Sequence, residues 1–167
     1  MDWFFTSMTW LGSLYLLLPL SLIFVFLLLW IGKGQQALML GLSFFITIIS
    51  VHAAKLIFRR PRPAVADFDL LVTMPADWSF PSAHTAQATA FFFSITLIAF
   101  RLLPFFWAAT ATLVSVLVIG SVAYSRIYLQ VHYISDVVAG LILAIFLVAV
   151  VDVVLPILPW FGDTSSH

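Results

Sequence analysis

The chain has 167 residues, of which 63% are hydrophobic and only 8% are charged. A soluble domain carries about 25% charged residues, so this chain has too few charges to solvate a globular surface. The formal net charge is zero, which gives no reason to expect a nucleic-acid partner. Cysteine is absent, which excludes disulfides and thiolate metal sites. We therefore expect one all-α, membrane-embedded domain over residues 1–167.

Five apolar stretches in the chain are long enough to form helices that cross a bilayer. The segment before the first, Met1 to Thr9, has no Lys or Arg, so we interpret the first stretch as a retained transmembrane helix and not as a signal peptide. The fold class is thus predicted to be an integral membrane helical bundle of about five transmembrane helices. The predicted spans are Leu11 to Ile31, Ala37 to Ala54, Thr85 to Phe100, Leu102 to Tyr124 and Val137 to Val151.

Antiparallel spans bring the ends of distant segments to the same face of the bundle. Lys55 follows the second predicted helix, His84 opens the third and Arg126 follows the fourth, so all three fall on one face. In the loop between the second and third helices, Asp67, Asp69 and Asp77 are expected to solvate the chain. His52, one turn before Lys55, is expected to pack within the bundle.

The polar segments at these helix ends each have two interpretations. Basic residues such as Lys55 and Arg62 commonly extend to the membrane interface from a helix end, but they can also bind an anion. Ser82 is predicted to cap the third helix, whose free N–H groups and dipole favour an anion. His84 would then stand beside that anion as a proton donor. The alternative is an ordinary capped helix with an interfacial histidine.

His132 and Asp136 are four residues apart, so on a helix they share one face. An aspartate bonded to one imidazole nitrogen fixes the tautomer and leaves the other nitrogen as a nucleophile or base. The alternative is a polar pair on a helix surface, which the scarcity of charges in this chain makes less attractive. A metal site fits poorly, because Lys55, Arg62 and Arg126 would crowd the ion. We expect neither a metal nor another cofactor.

Together the three polar segments resemble the signature of the type 2 phosphatidic acid phosphatase superfamily. That signature reads Lys-x6-Arg-Pro, Pro-Ser-x-His and Ser-Arg-x5-His-x3-Asp, found here at Lys55 to Pro63, Pro81 to His84 and Ser125 to Asp136. The resemblance covers nearly the whole chain, and it departs at Ala83, where the family often has glycine. Members often have six spanning helices, so we expect this chain either to lack the first one or to replace it with the segment Met1 to Trp10 at the membrane interface.

The resemblance implies a lipid phosphatase, a hydrolase of phosphoric esters or anhydrides, that works through a phosphohistidine. Its implied catalytic residues are His132 as nucleophile, Asp136 to orient it and His84 as general acid and base. Its implied phosphate-binding residues are Lys55, Arg62, Ser82, Ala83 and Arg126. Three cations and one aspartate leave about two positive charges for a phosphate dianion. No metal ion is needed for that balance, so activity is expected to persist in a chelator.

The expected partners are membrane lipids and a lipid phosphate such as undecaprenyl diphosphate, phosphatidylglycerophosphate or phosphatidate. The apolar runs of the third and fifth helices have about 15 residues and span about 23 Å. The hydrocarbon core is about 30 Å thick, so we expect the catalytic ends near the headgroup plane. The resemblance implies a bacterial inner membrane with the site facing the periplasm. The sequence predicts no particular oligomeric state.

Two other classes of protein are compatible with the composition. A transporter or channel would use the polar cluster as a binding site, since buried charges in membranes often mark pathways. Here, however, the charges lie at helix ends and not along the midplane. A structural membrane subunit would leave the coincidence of the three segments unexplained.

Overall fold

The computed structural model describes residues 2–64 and 75–158, and these residues form helices and no strand. The predicted all-α membrane bundle is therefore confirmed. The helices are α1 (Asp2–Trp10), α2 (Leu14–Trp30), α3 (Gly34–Phe58), α4 (Ala83–Leu102), α5 (Phe105–Tyr128) and α6 (Ile134–Val154), followed by a 3-10 turn (Leu155–Ile157).

Four of the helices in the described ranges, α3 to α6 with the turn that extends α6, are long and apolar enough to cross a membrane. The pair α1 and α2 passes the same test only together and is bent by 43° between them. The predicted count of five spans holds if this bent pair is one span. The N-terminal segment that was expected at the interface is the helix α1.

The helices extend beyond the apolar runs from which they were predicted. Lys55 and Arg126 lie inside α3 and α5, and His84 is the second residue of α4. The connection between α2 and α3 is a tight turn at Gly32, whose φ of +74° favours glycine. At 20 and 21 residues, α4 and α6 are about 30 Å long. They extend past their apolar runs without changing the length of those runs, so the expected depth of the site remains a prediction.

α4 is the central helix and packs against α3, α5 and α6. Its core-facing positions carry small residues, among them Ala86, Ala88 and Ala90, which are fully buried. Small side chains let helix backbones approach closely, which drives helix association in membranes. Some buried hydroxyls of α4 are satisfied within the helix, as where Thr89 donates to the Thr85 carbonyl over 2.7 Å, whereas the buried Ser94 Oγ has no partner among the described residues.

Gly140 of α6 lies against the N-terminal end of α4, and it gives a direct test of the packing. A Cβ at this position would lie 2.7 Å from the Ser82 carbonyl oxygen, which cannot turn away because it accepts from the Ala86 N–H. Gly140→Ala is therefore expected to destabilise the bundle by ~1–3 kcal/mol. Thermal unfolding in detergent measures this loss.

The matched control is Gly120→Ala on α5, where an added Cβ meets no atom within 4 Å. This change is expected to be neutral or to stabilise the helix by ~0.5–1 kcal/mol. Equal unfolding temperatures for the two variants would contradict the close contact between α4 and α6.

The two ends of the bundle differ in their polar contacts. At one end, Arg101 of α4 and Asp152 of α6 form an ion pair over 2.7 Å. At the other end, the last turns of α3 and α5 meet the first turns of α4 and α6. The convergence predicted from helix alternation is present there, and all of the predicted site residues lie at this end.

Candidate active site

His132, in the turn that joins α5 to α6, is paired with Asp136 in the first turn of α6. The chain reverses at Gln130, whose φ is +55°, and Tyr133 is the N-cap residue of α6. The Tyr133 N–H donates to Asp136 Oδ2 over 3.0 Å, as in a capping box. This bond holds the carboxylate over the turn, where Oδ2 lies 3.4 Å from His132 Nδ1.

The predicted shared helix face for this pair is wrong, because His132 lies before α6 begins. The contact forms nonetheless, since the cap folds the carboxylate of Asp136 back. Arg62 Nη1 lies 3.2 Å from His132 Nε2, and a guanidinium can only donate. Nε2 is therefore the acceptor and Nδ1 carries the proton that points at Asp136. In this tautomer Nε2 keeps its lone pair.

Lys55 and Arg62 converge on the carboxylate of Asp77. Lys55 Nζ lies 2.9 Å from Asp77 Oδ2 and also donates to the Trp78 carbonyl. Arg62 donates through Nη2 to Asp77 Oδ1 and through Nη1 to the Val131 carbonyl over 2.7 Å. The expectation that Asp77 merely solvates the loop is wrong. Its carboxylate lies between two cations that the resemblance assigns to phosphate.

Arg126 and His84 line a cavity of about 270 Å³ beside α1. Arg126 is buried and donates through Nη1 to Thr9 of α1. Its Nε has no hydrogen-bond partner within residues 2–64 and 75–158. The turn between α1 and α2 packs on His84, since a Cβ on Gly12 would lie 2.9 Å from the His84 carbonyl oxygen. The short first helix and the turn after it therefore contact two of the predicted site residues.

Ser82 is the N-cap residue of α4, as predicted, but its side chain makes no capping hydrogen bond. Its hydroxyl accepts from Thr85 over 3.1 Å. Its backbone N–H donates to the Asp136 carbonyl over 2.9 Å and is thus already engaged. This bond ties the start of α4 to α6. Ala83, the first helical residue, is partly buried.

The remaining polar residues named from the sequence do not join this cluster. His52 is exposed, with Nδ1 2.8 Å from the Ile48 carbonyl, so its predicted packing inside the bundle is wrong. Asp67 and Asp69 lie outside the described residues. Within the described ranges, no group of three or more His, Asp, Glu or Cys side chains is placed to hold a metal ion.

The site geometry agrees with a family assignment from sequence comparison. Residues 36–157, well over half of the chain, match the PAP2 superfamily. The chain belongs to the PAP2 superfamily.

Two mycobacterial phosphatases are among the curated relatives of this PAP2 protein. It is 34% identical over 120 residues to a decaprenylphosphoryl-5-phosphoribose phosphatase of Mycobacterium tuberculosis, covering 72% of this chain and 62% of that protein. The corresponding phosphatase of Mycolicibacterium smegmatis is 32% identical over 109 residues, covering 65% and 54%. The chain therefore spans less than two thirds of the length of either relative.

Two crystal structures of bacterial proteins share the fold. The PAP2-type phosphatidylglycerolphosphate phosphatase of Bacillus subtilis superposes with a TM-score of 0.81 at 27% identity, covering 99% of this chain and 78% of that chain. LpxE of Aquifex aeolicus superposes with a TM-score of 0.68 at 30% identity, covering 90% and 84%. The protein is thus an integral membrane member of a lipid phosphatase family.

Electrostatics set the charge states of two groups in the PAP2 site. Burial lowers the pKa of His132 to about 4, although its hydrogen bond to Asp136 opposes the shift. The imidazole is therefore neutral above about pH 4, and Nε2 keeps its lone pair. Burial alone would raise the pKa of Asp77, but hydrogen bonds from Lys55 and Arg62 hold it below its usual value. Asp77 is an anion at neutral pH.

Several contacts in the site were not predicted from the sequence. Arg60 Nη1 donates to Asp136 Oδ1 over 2.8 Å, and Ser79 donates to Asp136 Oδ2. Arg60 belongs to a basic run in which no pattern indicates which arginine turns back to the bundle. Thr9 is 117 residues away from Arg126, so no local signal connects them. The two extra arginines inside the first signature segment, Arg59 and Arg60, are a signal that could have drawn attention to this run, but not to Arg60 in particular.

Asp77→Asn is expected to strengthen the binding of inorganic phosphate. The substitution removes the anion that now pairs with Lys55 and Arg62, so both cations become available to the ligand. Asp77 is half-exposed, with 51% of its side chain accessible, so the pair contributes ~1 kcal/mol. The inhibition constant of inorganic phosphate should therefore fall about fivefold.

Asp152→Asn is the control for this measurement, since Asp152 pairs with Arg101 at the other end of the bundle. The inhibition constant should not change in that variant. A constant that rises in Asp77→Asn would instead mean that Asp77 holds the two cations in position for phosphate.

Proposed function

We propose that this chain hydrolyses a phosphomonoester or diphosphate of a membrane lipid through a phosphohistidine on His132, without a metal ion. The observation that carries the proposal is the setting of His132. The side chain is buried, Nδ1 points at Asp136 and Nε2 lies 3.2 Å from Arg62. A neutral imidazole with an unprotonated Nε2 beside an anion-binding cation is the arrangement that attack on phosphorus requires.

In the first step, the lone pair of His132 Nε2 forms a bond to phosphorus as the bond from phosphorus to the lipid oxygen breaks. The leaving oxygen takes a proton from His84. Asp136 stabilises the positive imidazole that results. In the second step, a water oxygen bonds to phosphorus as the nitrogen–phosphorus bond breaks, and His84 accepts a proton from that water. His84 thus ends the cycle in its initial protonated state.

The phosphate oxygens are assigned to Lys55, Arg62 and Arg126. The first two already bind a carboxylate, that of Asp77, and a phosphate is an anion of the same class. Arg126 offers a buried Nε that is unpartnered in the described part of the chain. Such fixed donors stabilise the charge that develops in the transition state. The positive charge of Arg60 offsets the negative charge of Asp136. The charges of the three phosphate-binding cations are therefore left for the substrate and for Asp77.

A lipid substrate is supported by the family and by the position of the site. The relatives act, by their names, on phosphates carried by decaprenylphosphoryl ribose or by phosphatidylglycerol. The site lies at the ends of membrane-spanning helices, where a lipid phosphate is accessible while its chains stay in the bilayer. We place the site on the periplasmic side of a bacterial inner membrane. Labelling of a Gly34→Cys variant from outside the cell would reverse that orientation.

A phosphate-release panel tests the proposal. The purified protein in detergent micelles is given phosphatidate, phosphatidylglycerophosphate, undecaprenyl diphosphate and decaprenylphosphoryl-5-phosphoribose, with p-nitrophenyl phosphate as a soluble comparison. We expect at least one lipid to be cleaved with a kcat/KM well above that of the soluble ester, and with the same rate in EDTA. Strict dependence on Mg²⁺ contradicts the metal-free scheme. Equal rates on the soluble ester contradict the lipid assignment.

A further inference from the structure

Arg60, which lies two residues beyond the end of α3, reaches across to the start of α6. Its Nη1 donates to Asp136 Oδ1 over 2.8 Å and to Ser135 Oγ over 2.6 Å. Its guanidinium lies 4.1 Å from the centre of the Tyr133 ring, within the range of a cation–π contact. Its carbonyl accepts from the Ser79 N–H over 2.9 Å. Arg60 therefore contacts the first turn of α6 and the segment before α4 at once.

The charge on Asp136 needs such a partner. The carboxylate is fully buried, and a buried charge without an opposite charge is strongly destabilised. At Oδ2 its partners are the Ser79 hydroxyl, the Tyr133 N–H and His132. The first two are neutral groups, and His132 is neutral until it reacts. Among the described residues, Arg60 is the cation bonded to this carboxylate.

The bond from Arg60 to Oδ1 also fixes the orientation of the Asp136 carboxylate. Arg60 holds Oδ1, which leaves Oδ2 turned toward His132 Nδ1. With Oδ1 released, the carboxyl group could rotate or take up a proton. Either change removes the acceptor that keeps the proton on Nδ1 and the lone pair on Nε2.

We propose that Arg60 is a positioning residue of the phosphatase reaction, which keeps Asp136 ionised and turned toward His132. The inference rests on the proposed function. The guanidinium acts through Asp136, and the phosphate is held by other cations. Loss of Arg60 should therefore lower kcat and leave KM nearly unchanged.

Arg60→Gln tests this in steady-state phosphate release. We expect kcat to fall about 10- to 100-fold, by analogy with the loss when partners that orient metal-binding side chains are removed, with KM within about twofold. Arg60→Lys should recover part of the loss. An ammonium can reach Asp136 Oδ1, but it cannot reproduce the planar contacts to Ser135 and the Tyr133 ring.

Arg59→Gln is the matched control, because it removes the neighbouring arginine. Arg59 is exposed and donates through Nε to the Leu56 carbonyl of its own helix over 3.0 Å. Its removal should leave both kinetic constants unchanged. Equal effects of Arg59→Gln and Arg60→Gln would overturn the proposal, as would a rise in KM with kcat unchanged.

A double variant separates positioning from general stabilisation. If Arg60 acts through Asp136, adding Arg60→Gln to Asp136→Asn should lower the single-turnover rate by less than about twofold, because coupled residues are not additive. If the two substitutions instead lower the single-turnover rate independently, so that their losses multiply, the inference is overturned. If Arg60→Gln does not fold, the same cycle is run with Arg60→Lys. A wild-type protein without phosphate release would instead reject the proposed function.

Discussion

His132→Ala is expected to lower kcat for phosphate release by about 10⁴- to 10⁶-fold, the loss that follows removal of a nucleophile in a well-studied hydrolase. Without the imidazole no phosphoenzyme can form, and water would have to attack phosphorus directly. KM should change little, because Lys55, Arg62 and Arg126 remain in place to bind the phosphate. Steady-state phosphate release from the best lipid of the panel measures both constants.

His52→Ala is the matched control for that variant. His52 is an exposed histidine one turn before Lys55 on α3, and it lies outside the site. Its replacement should leave kcat unchanged. A His132→Ala protein that keeps activity within tenfold of wild type would contradict the assignment of the nucleophile.

Asp136→Asn is expected to lower kcat by about 10³- to 10⁴-fold, as the loss of an orienting aspartate does in another histidine-dependent enzyme. The amide nitrogen of Asn can donate to His132 Nδ1, which favours the tautomer with the proton on Nε2. The lone pair needed for attack is then lost. The change also removes the ion pair between Asp136 and Arg60.

Asp152→Asn serves as the control here too, since it removes an ion-paired aspartate from the far end of the same helix. It should keep near-normal activity. Thermal unfolding of Asp136→Asn separates a catalytic loss from a failure to fold. An Asp136→Asn protein that is folded and loses less than tenfold in kcat would contradict the orienting role.

The sequence predicts the membrane helices well because the bilayer imposes a strong rule on them. Every spanning segment must be apolar over about 20 residues, and this pattern is visible without any structure. The helix ends are less predictable, since polar residues such as Lys55 and Arg126 interrupt an apolar run without ending the helix. The sequence predicts that Lys55 and Arg126 close their helices, and the structure places both in the last turns of α3 and α5, a few residues beyond the predicted spans.

The convergence of the site follows from helix alternation, so it is predictable in outline. The contacts within it are not, because they depend on where side chains point at the helix exits. Asp77 and Arg60 both lie in connecting segments, and their partners, Arg62 and Asp136, are fixed only by the packed bundle. The pairing of His132 with Asp136 is predicted correctly for an incorrect reason, since it depends on a helix cap and not on a shared helix face.

The measurement that tests the central claim most directly is the trapping of a phosphoenzyme. Lipid substrate labelled with ³²P in its terminal phosphate is mixed with the protein and quenched in alkali within the first turnover. We predict a label on the wild-type chain that is stable in alkali and lost in acid, as a phosphoramidate on His132 requires, and its absence in His132→Ala. No label during rapid turnover by the wild type, or an equal label in His132→Ala, would contradict a phosphohistidine mechanism.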